Sequence, residues 1–114
     1  MKNKSNNTLV SLIEALKKAE KPIWKKVADE LSKPRRSKVE VNLSKLDEFA
    51  ADGVTILVPG KVLGSGSISK KVSVAAYSFS ESAKHIISQA GGKTMSIENL
   101  QSANPDGKGV VIIK

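Results

Sequence analysis

Up to residue 33 the apolar residues of this chain recur every three or four positions. From Val39 onward they fall at every second position or in short unbroken runs. A chain that changes period once in this way places helices first and a strand-rich body after them. Leu9, Leu12, Ile13, Leu16 and Ala19 make one helical stripe, with Thr8 as the expected N-cap and Glu14, Lys17 and Lys18 outside it. Pro22 opens a second helix, because a missing N–H costs nothing in the first turn. Ile23, Trp24, Val27, Ala28 and Leu31 form its stripe, and Lys25, Lys26, Asp29 and Glu30 are expected to face elsewhere. Pro34 ends it by pushing the preceding residue out of the α region.

Beyond the change of period, Val39, Val41 and Leu43 alternate with Glu40 and Asn42, the pattern of a half-buried strand. Ser44, with Asp47 three residues on, is expected to cap a short helix with Leu46, Phe49 and Ala50 inside and Gly53 as its left-handed stop. Residues 54–58 read as a central strand that Pro59 and Gly60 end. The stretch GKVLGSGSISKK, residues 60–71, reads as an exposed loop or loose hairpin. Residues 72–77 form another strand, and Ser80 begins a helix that Gly91 and Gly92 stop. Ser96 caps a last short helix around Ile97 and Leu100, and residues 110–113 close as a strand after a turn at 104–107. KVEV at 38–41 and KVSV at 71–74 each lead through a serine into a short helix and then a second strand, at 54–58 and 93–97. The expected fold class is therefore α/β: two N-terminal helices followed by a repeating strand–helix body. With 114 residues the chain can bury roughly two-thirds of its unfolded surface, enough for one core. Residues 9–114 are taken as one domain behind a flexible tail, residues 1–8.

The charge is unevenly placed. Residues 1–38 carry eleven Lys/Arg against four Asp/Glu, residues 39–59 one against four, and residues 60–84 four against one, within a total of +8. Two basic zones separated by an acidic one imply a single face for a polyanion, assembled from distant segments. The sharper zone is KPRRSK, residues 33–38, whose guanidinium forks and ammonium groups match phosphate oxygens and release counterions on binding. A solvated basic loop is the bland alternative, and charge alone does not separate RNA, DNA and lipid. In the second zone, Lys61, Lys70 and Lys71 flank glycines whose backbone N–H groups can approach a phosphate closely. Its spacing is not that of a nucleotide loop. Val62 follows Lys61 where a P-loop needs Ser or Thr, and position 69 lacks the third glycine of a dinucleotide fingerprint.

Other chemistries find little support. With no Cys, thiolate metal sites, disulfides and cysteine nucleophiles are excluded, and one His offers no metal constellation. Ser78, Ser80 and Ser82 have no acid–base partner in the pattern, and His85 sits beside Ile86 and Ile87 at a helix edge. Trp24 reads as core rather than as a platform for bases. No apolar run approaches a membrane span, and residues 1–8 do not resemble a signal peptide, so an intracellular chain is expected. The expectation is a non-enzyme without metal, cofactor, membrane or small-molecule substrate. A small enzyme holding a phosphorylated ligand at residues 60–66 is the low-ranked rival.

PIWKKVADELSKPRRSKVEVNLSKL, VPGKVLGSG, KKVSVAAYSFSESA, AGG and NPDGKGVVIIK occur in this order along the chain. Together they closely resemble the archaeal L-eighteen-e family of large-subunit ribosomal proteins, which is related to the bacterial L-fifteen family. The resemblance covers nearly everything from Leu9 onward. It implies a body built as an irregular β-β-α superhelix and a structural role in the cytoplasmic large subunit, bound to 23S-type rRNA and to neighbouring ribosomal proteins. The family's basic run resembles Lys33, Arg35, Arg36 and Lys38 here, and its glycine loop resembles Gly60, Lys61, Gly64, Ser65 and Gly66. Asn42 of VNLSKL lies beside them as a candidate ribose contact, and Lys70 and Lys71 complete the expected RNA-binding set. A nucleic-acid-binding protein outside the ribosome is the alternative.

Overall fold

The computed structural model describes residues 6–19, 21–33, 39–49, 51 and 53–114, with side chains from Leu9 onward. The elements run α1 (Asn6–Lys18), α2 (Pro22–Leu31), β1 (Val39–Asn42), α3 (Leu43–Phe49), β2 (Thr55–Leu63), β3 (Ser73–Phe79), α4 (Glu81–Gln89), β4 (Lys93–Ser96), α5 (Ile97–Ala103) and β5 (Val110–Ile112). All strand pairs are parallel. The order is β1-β2-β3-β4, with β5 on β2 as well. β2 has room for both neighbours on one edge because β5 pairs Thr55 to Leu57 while β1 pairs Gly60 to Leu63.

A parallel sheet covered on both faces needs strands that are apolar on both sides, which explains the unbroken run Ile56-Leu57-Val58. Ile56, Val58, Val74 and Ala76 pack with Leu46 of α3 and with Ala83 and Ile87 of α4. Leu57 and Ala75 point the other way, against Leu12 and Leu16 of α1, Trp24, Val27 and Leu31 of α2, and Leu100 of α5. The two N-terminal helices therefore cover one face of the body. Trp24 is fully buried there, and its indole Nε1–H donates to the Pro105 carbonyl at 2.7 Å, which ties α2 to the turn before β5.

The repeat takes the form of two β-α-β units, β1-α3-β2 and β3-α4-β4, followed by α5 and β5. Ser80 and Ser96 cap α4 and α5 as expected, their side chains accepting from the Ala83 and Asn99 N–H groups. Several local expectations are corrected. α1 begins at Asn6, so Thr8 lies inside the helix rather than at its cap. α3 begins at Leu43, so Ser44 is not its N-cap; the Ser44 N–H donates to the Ser65 carbonyl, and the Asp47 carboxylate is engaged elsewhere. Gly53 does adopt a left-handed φ of 83°, but α3 has already ended at Phe49. Phe49 is 53% exposed, because a helix of two turns buries only Leu43 and Leu46. Glu30 is buried, held by Lys33 and Lys114.

The largest correction concerns Pro59 and Gly60, which do not end the strand. β2 runs on to Leu63 through a bulge: Val58 pairs with Ala76 and Lys61 with Ser78, so one extra β2 residue is accommodated. A bulge is where a strand tolerates a residue without an N–H. Residues 64–72 are likewise not a hairpin tip. They join two parallel strands and must return from the carboxyl end of β2 to the amino end of β3. An extended chain of nine residues reaches roughly 30 Å, enough for that return without a helix.

Candidate nucleic-acid interface

The returning segment is fastened along its length. The Ser44 N–H donates to the Ser65 carbonyl at 3.2 Å. The Ile68 side chain is buried in the α3–α4 side of the core. Asp47 Oδ1 accepts from both the Ser69 N–H and the Ser69 hydroxyl at 3.0 Å, and the Gly53 N–H donates to the Lys71 carbonyl at 3.1 Å. The two Ser69 hydrogen bonds hold the Asp47 carboxyl below its ordinary range. Its glycines serve close packing. A Cβ on Gly60 would overlap the Val39 carbonyl, and one on Gly66, at φ +90°, would press on Ser44. Gly64 lies as tightly against Ser82 at the start of α4. Ser65, Gly66 and Ser67 nonetheless remain exposed, so the segment presents a fixed backbone to solvent.

The candidate residues divide into groups. Val39 lies in register with Gly60, so the chain leaving residues 33–38 enters the sheet beside the glycine segment. Asn42, exposed and opposite Leu63, and Lys61, exposed and opposite Glu40, lie toward the carboxyl end of the sheet with Gly64, Ser65 and Gly66. Lys70 and Lys71 are also exposed but precede β3, toward its amino end. Lys61 pairs with Ser78, so about five residues of strand, roughly 16 Å, separate the two groups. Lys33 lies 3.1 Å from the Glu30 carboxylate, which also accepts from Lys114 at 2.6 Å. These lysines, Lys114 first, hold the Glu30 carboxyl below its ordinary range against the opposing effect of burial. Part of the Lys33 charge is thereby engaged within the protein. Arg35, Arg36 and Lys38 lie outside the described residues.

The sequence matches, over residues 7–95, a family described as the ribosomal proteins 50S-L15 and 50S-L18e with their 60S counterpart. The chain belongs to this family. It is 54% identical over 111 residues to the large ribosomal subunit protein eL18 of Archaeoglobus fulgidus, covering 94% of this chain and 95% of that one. It is 50% identical to the eL18 of Methanococcus maripaludis, over 96% and 94% of the two chains, and 47% identical to that of Methanoregula boonei, over 97% and 95%. Membership of this L15/L18e family makes the chain a structural ribosomal constituent rather than an enzyme. Among the described residues no helix is long and apolar enough to cross a membrane.

Two features of the L15/L18e body were not foreseen from the sequence. Asp47 looked like a capping residue, and only its position ahead of a serine-rich segment hinted at a tether. Tyr77 and Phe79 looked like ordinary strand residues, yet both line an open groove at the carboxyl end of β3.

Proposed function

We propose that this L15/L18e member is assembled in the large ribosomal subunit, in the cytoplasm, where it binds 23S-type rRNA and adjoins other large-subunit proteins. Near-full-length identity of 47 to 54% with proteins named as large-subunit eL18 supports this reading above all else. Arg35 and Arg36 clamp phosphates, with Lys38 beside them and Lys33 shared with Glu30. Lys61, Asn42 and the exposed backbone of Gly64, Ser65 and Gly66 meet sugar and phosphate at the carboxyl end of the sheet, and Lys70 and Lys71 make a second contact at the other end. A fixed crossover segment suits shape-based recognition of folded RNA, because its donors need no ordering on contact.

The test is sucrose-gradient sedimentation of a tagged copy from an archaeal lysate at rising salt. The protein is expected with large subunits through moderate salt. Recovery at the top of the gradient, or equal binding of purified protein to generic duplex DNA, overturns the proposal in favour of a free nucleic-acid-binding protein.

A further inference from the structure

β4 stops pairing with β3 at Ser96, opposite Ala76, and the chain turns there into α5. β3 continues for three residues, Tyr77, Ser78 and Phe79, past the end of its neighbour. The step leaves a groove of about 230 Å³, floored by Ala76 and Met95, with Tyr77 and Phe79 as its rings, Ser78, Thr94 and Ser96 as its hydroxyls, and Lys84 as its cation. Pockets that hold a whole drug-sized ligand are larger, about 300–1,000 Å³. This one suits a single flat ring system.

The chain has four aromatic residues, and two of them are here. Trp24 is wholly buried and Phe49 lies on α3. Tyr77 and Phe79 are each half-buried, packed against opposite core clusters and exposed at the groove. Rings fixed from behind and open in front, beside hydroxyls and a cation, are the elements with which proteins hold an unstacked base. The groove also adjoins the proposed RNA contact, since Ser78 on its wall is the register partner of Lys61. Lys84 and Lys61 supply positive charge on that side. On the α5 side lies Glu98, whose charge, after burial, helps push the Tyr77 phenol up. A phosphate therefore enters from the lysine side.

We propose that the groove between Tyr77, Phe79 and Lys84 receives one unpaired nucleobase, with the attached phosphate toward Lys84 and Lys61. The inference rests on the RNA-binding reading and narrows it, adding a base-holding site to a surface otherwise read as contacting the backbone. A backbone-only interface would leave these rings without a role.

NMR titration of the full chain with the four 5′-mononucleotides, and with ribose 5-phosphate as control, tests the site without an identified RNA. Shifts concentrated at residues 76–79, 84 and 94–96 with at least one nucleotide, and absent with ribose 5-phosphate, are the expected result. Phe79→Leu, which keeps apolar volume but removes the ring, is expected to weaken that binding at least threefold while the remaining resonances stay native-like. Lys84→Ala is expected to weaken it less and to reduce its salt dependence. Equal shifts with ribose 5-phosphate, shifts only at the Lys61–Lys71 segment, or none at all overturn the base site. Such outcomes leave co-sedimentation with large subunits intact, so the two readings fail separately. Saturable shifts at the groove with an extended peptide but not with nucleotides would overturn it in favour of a protein neighbour.

Discussion

At the scale of single residues, Gly60 carries two demands at once. As a member of the proposed RNA-binding set it offers a backbone that phosphate can approach, but the fold already requires it. A Cβ there would collide with the Val39 backbone, the strand neighbour through which residues 33–38 enter the sheet. Backbone cannot rotate away as a side chain can, so Gly60→Ala must separate β1 from β2 locally. Overpacking of this kind costs about 1–3 kcal/mol. Urea unfolding followed by Trp24 fluorescence is expected to show that loss. A change within about 0.5 kcal/mol, the range of an ordinary surface substitution, would mean that β1 moves freely and that the basic segment is not fixed by its entry into the sheet. Gly53 is the contrast, with a positive φ of 83° but open space around it.

At the scale of elements, the crossover between β2 and β3 is held as a rail by its contacts with α3, and Asp47 is the side chain that fixes its middle. Asp47→Ala is expected to speed amide exchange at residues 67–70 and to lower rRNA affinity a few-fold, leaving global stability close to wild type. The tether has a pH signature. The folded-state pKa of Asp47 is depressed, so its contribution is complete above the ordinary aspartate range and is lost as pH falls through the lower folded value. The Ser69 amide resonance is expected to titrate below the ordinary aspartate pKa, and not at all in Asp47→Ala. Much at this scale was legible in the sequence. Period changes located α1, α2 and the strands, and Ser80, Ser96 and Gly91 marked helix ends because their signals are local. The failures share a physical cause. Pro59 breaks a strand only if its missing N–H was needed, and whether it was depends on the bulge against β3. Glu30 looks solvent-facing until Lys114, 84 residues away, supplies its partner. Asp47 looks like a cap until Ser69 reaches it. Contacts distant in sequence settled each of these, and periodicity does not contain them.

At the scale of the whole molecule, the two basic zones seen in the sequence become neighbours through the register of Val39 with Gly60, but the second zone is stretched out. Lys61 lies near one end of the sheet and Lys70 and Lys71 near the other, roughly 16 Å away by strand length. If both ends face rRNA, each lysine that meets a phosphate releases its own counterions. Each then contributes about 0.7–0.9 to the slope of log K against log salt. Sites this far apart, without shared partners, act independently. Lys61→Ala is thus expected to reduce the slope by about 1, Lys70→Ala/Lys71→Ala by about 2, and the triple variant by their sum, when binding to purified large-subunit rRNA is measured across salt concentrations. Lys33→Ala is expected to change it less than Arg35→Ala or Arg36→Ala, because Glu30 already holds part of the Lys33 charge. An unchanged slope on removing Lys70 and Lys71 would confine the interface to the carboxyl end of the sheet, leaving Lys61, the glycine segment and residues 33–38 as its whole extent. A triple variant that loses much more than the sum would show that the crossover itself had shifted, and the rail would have to be treated as part of the RNA contact rather than as its support.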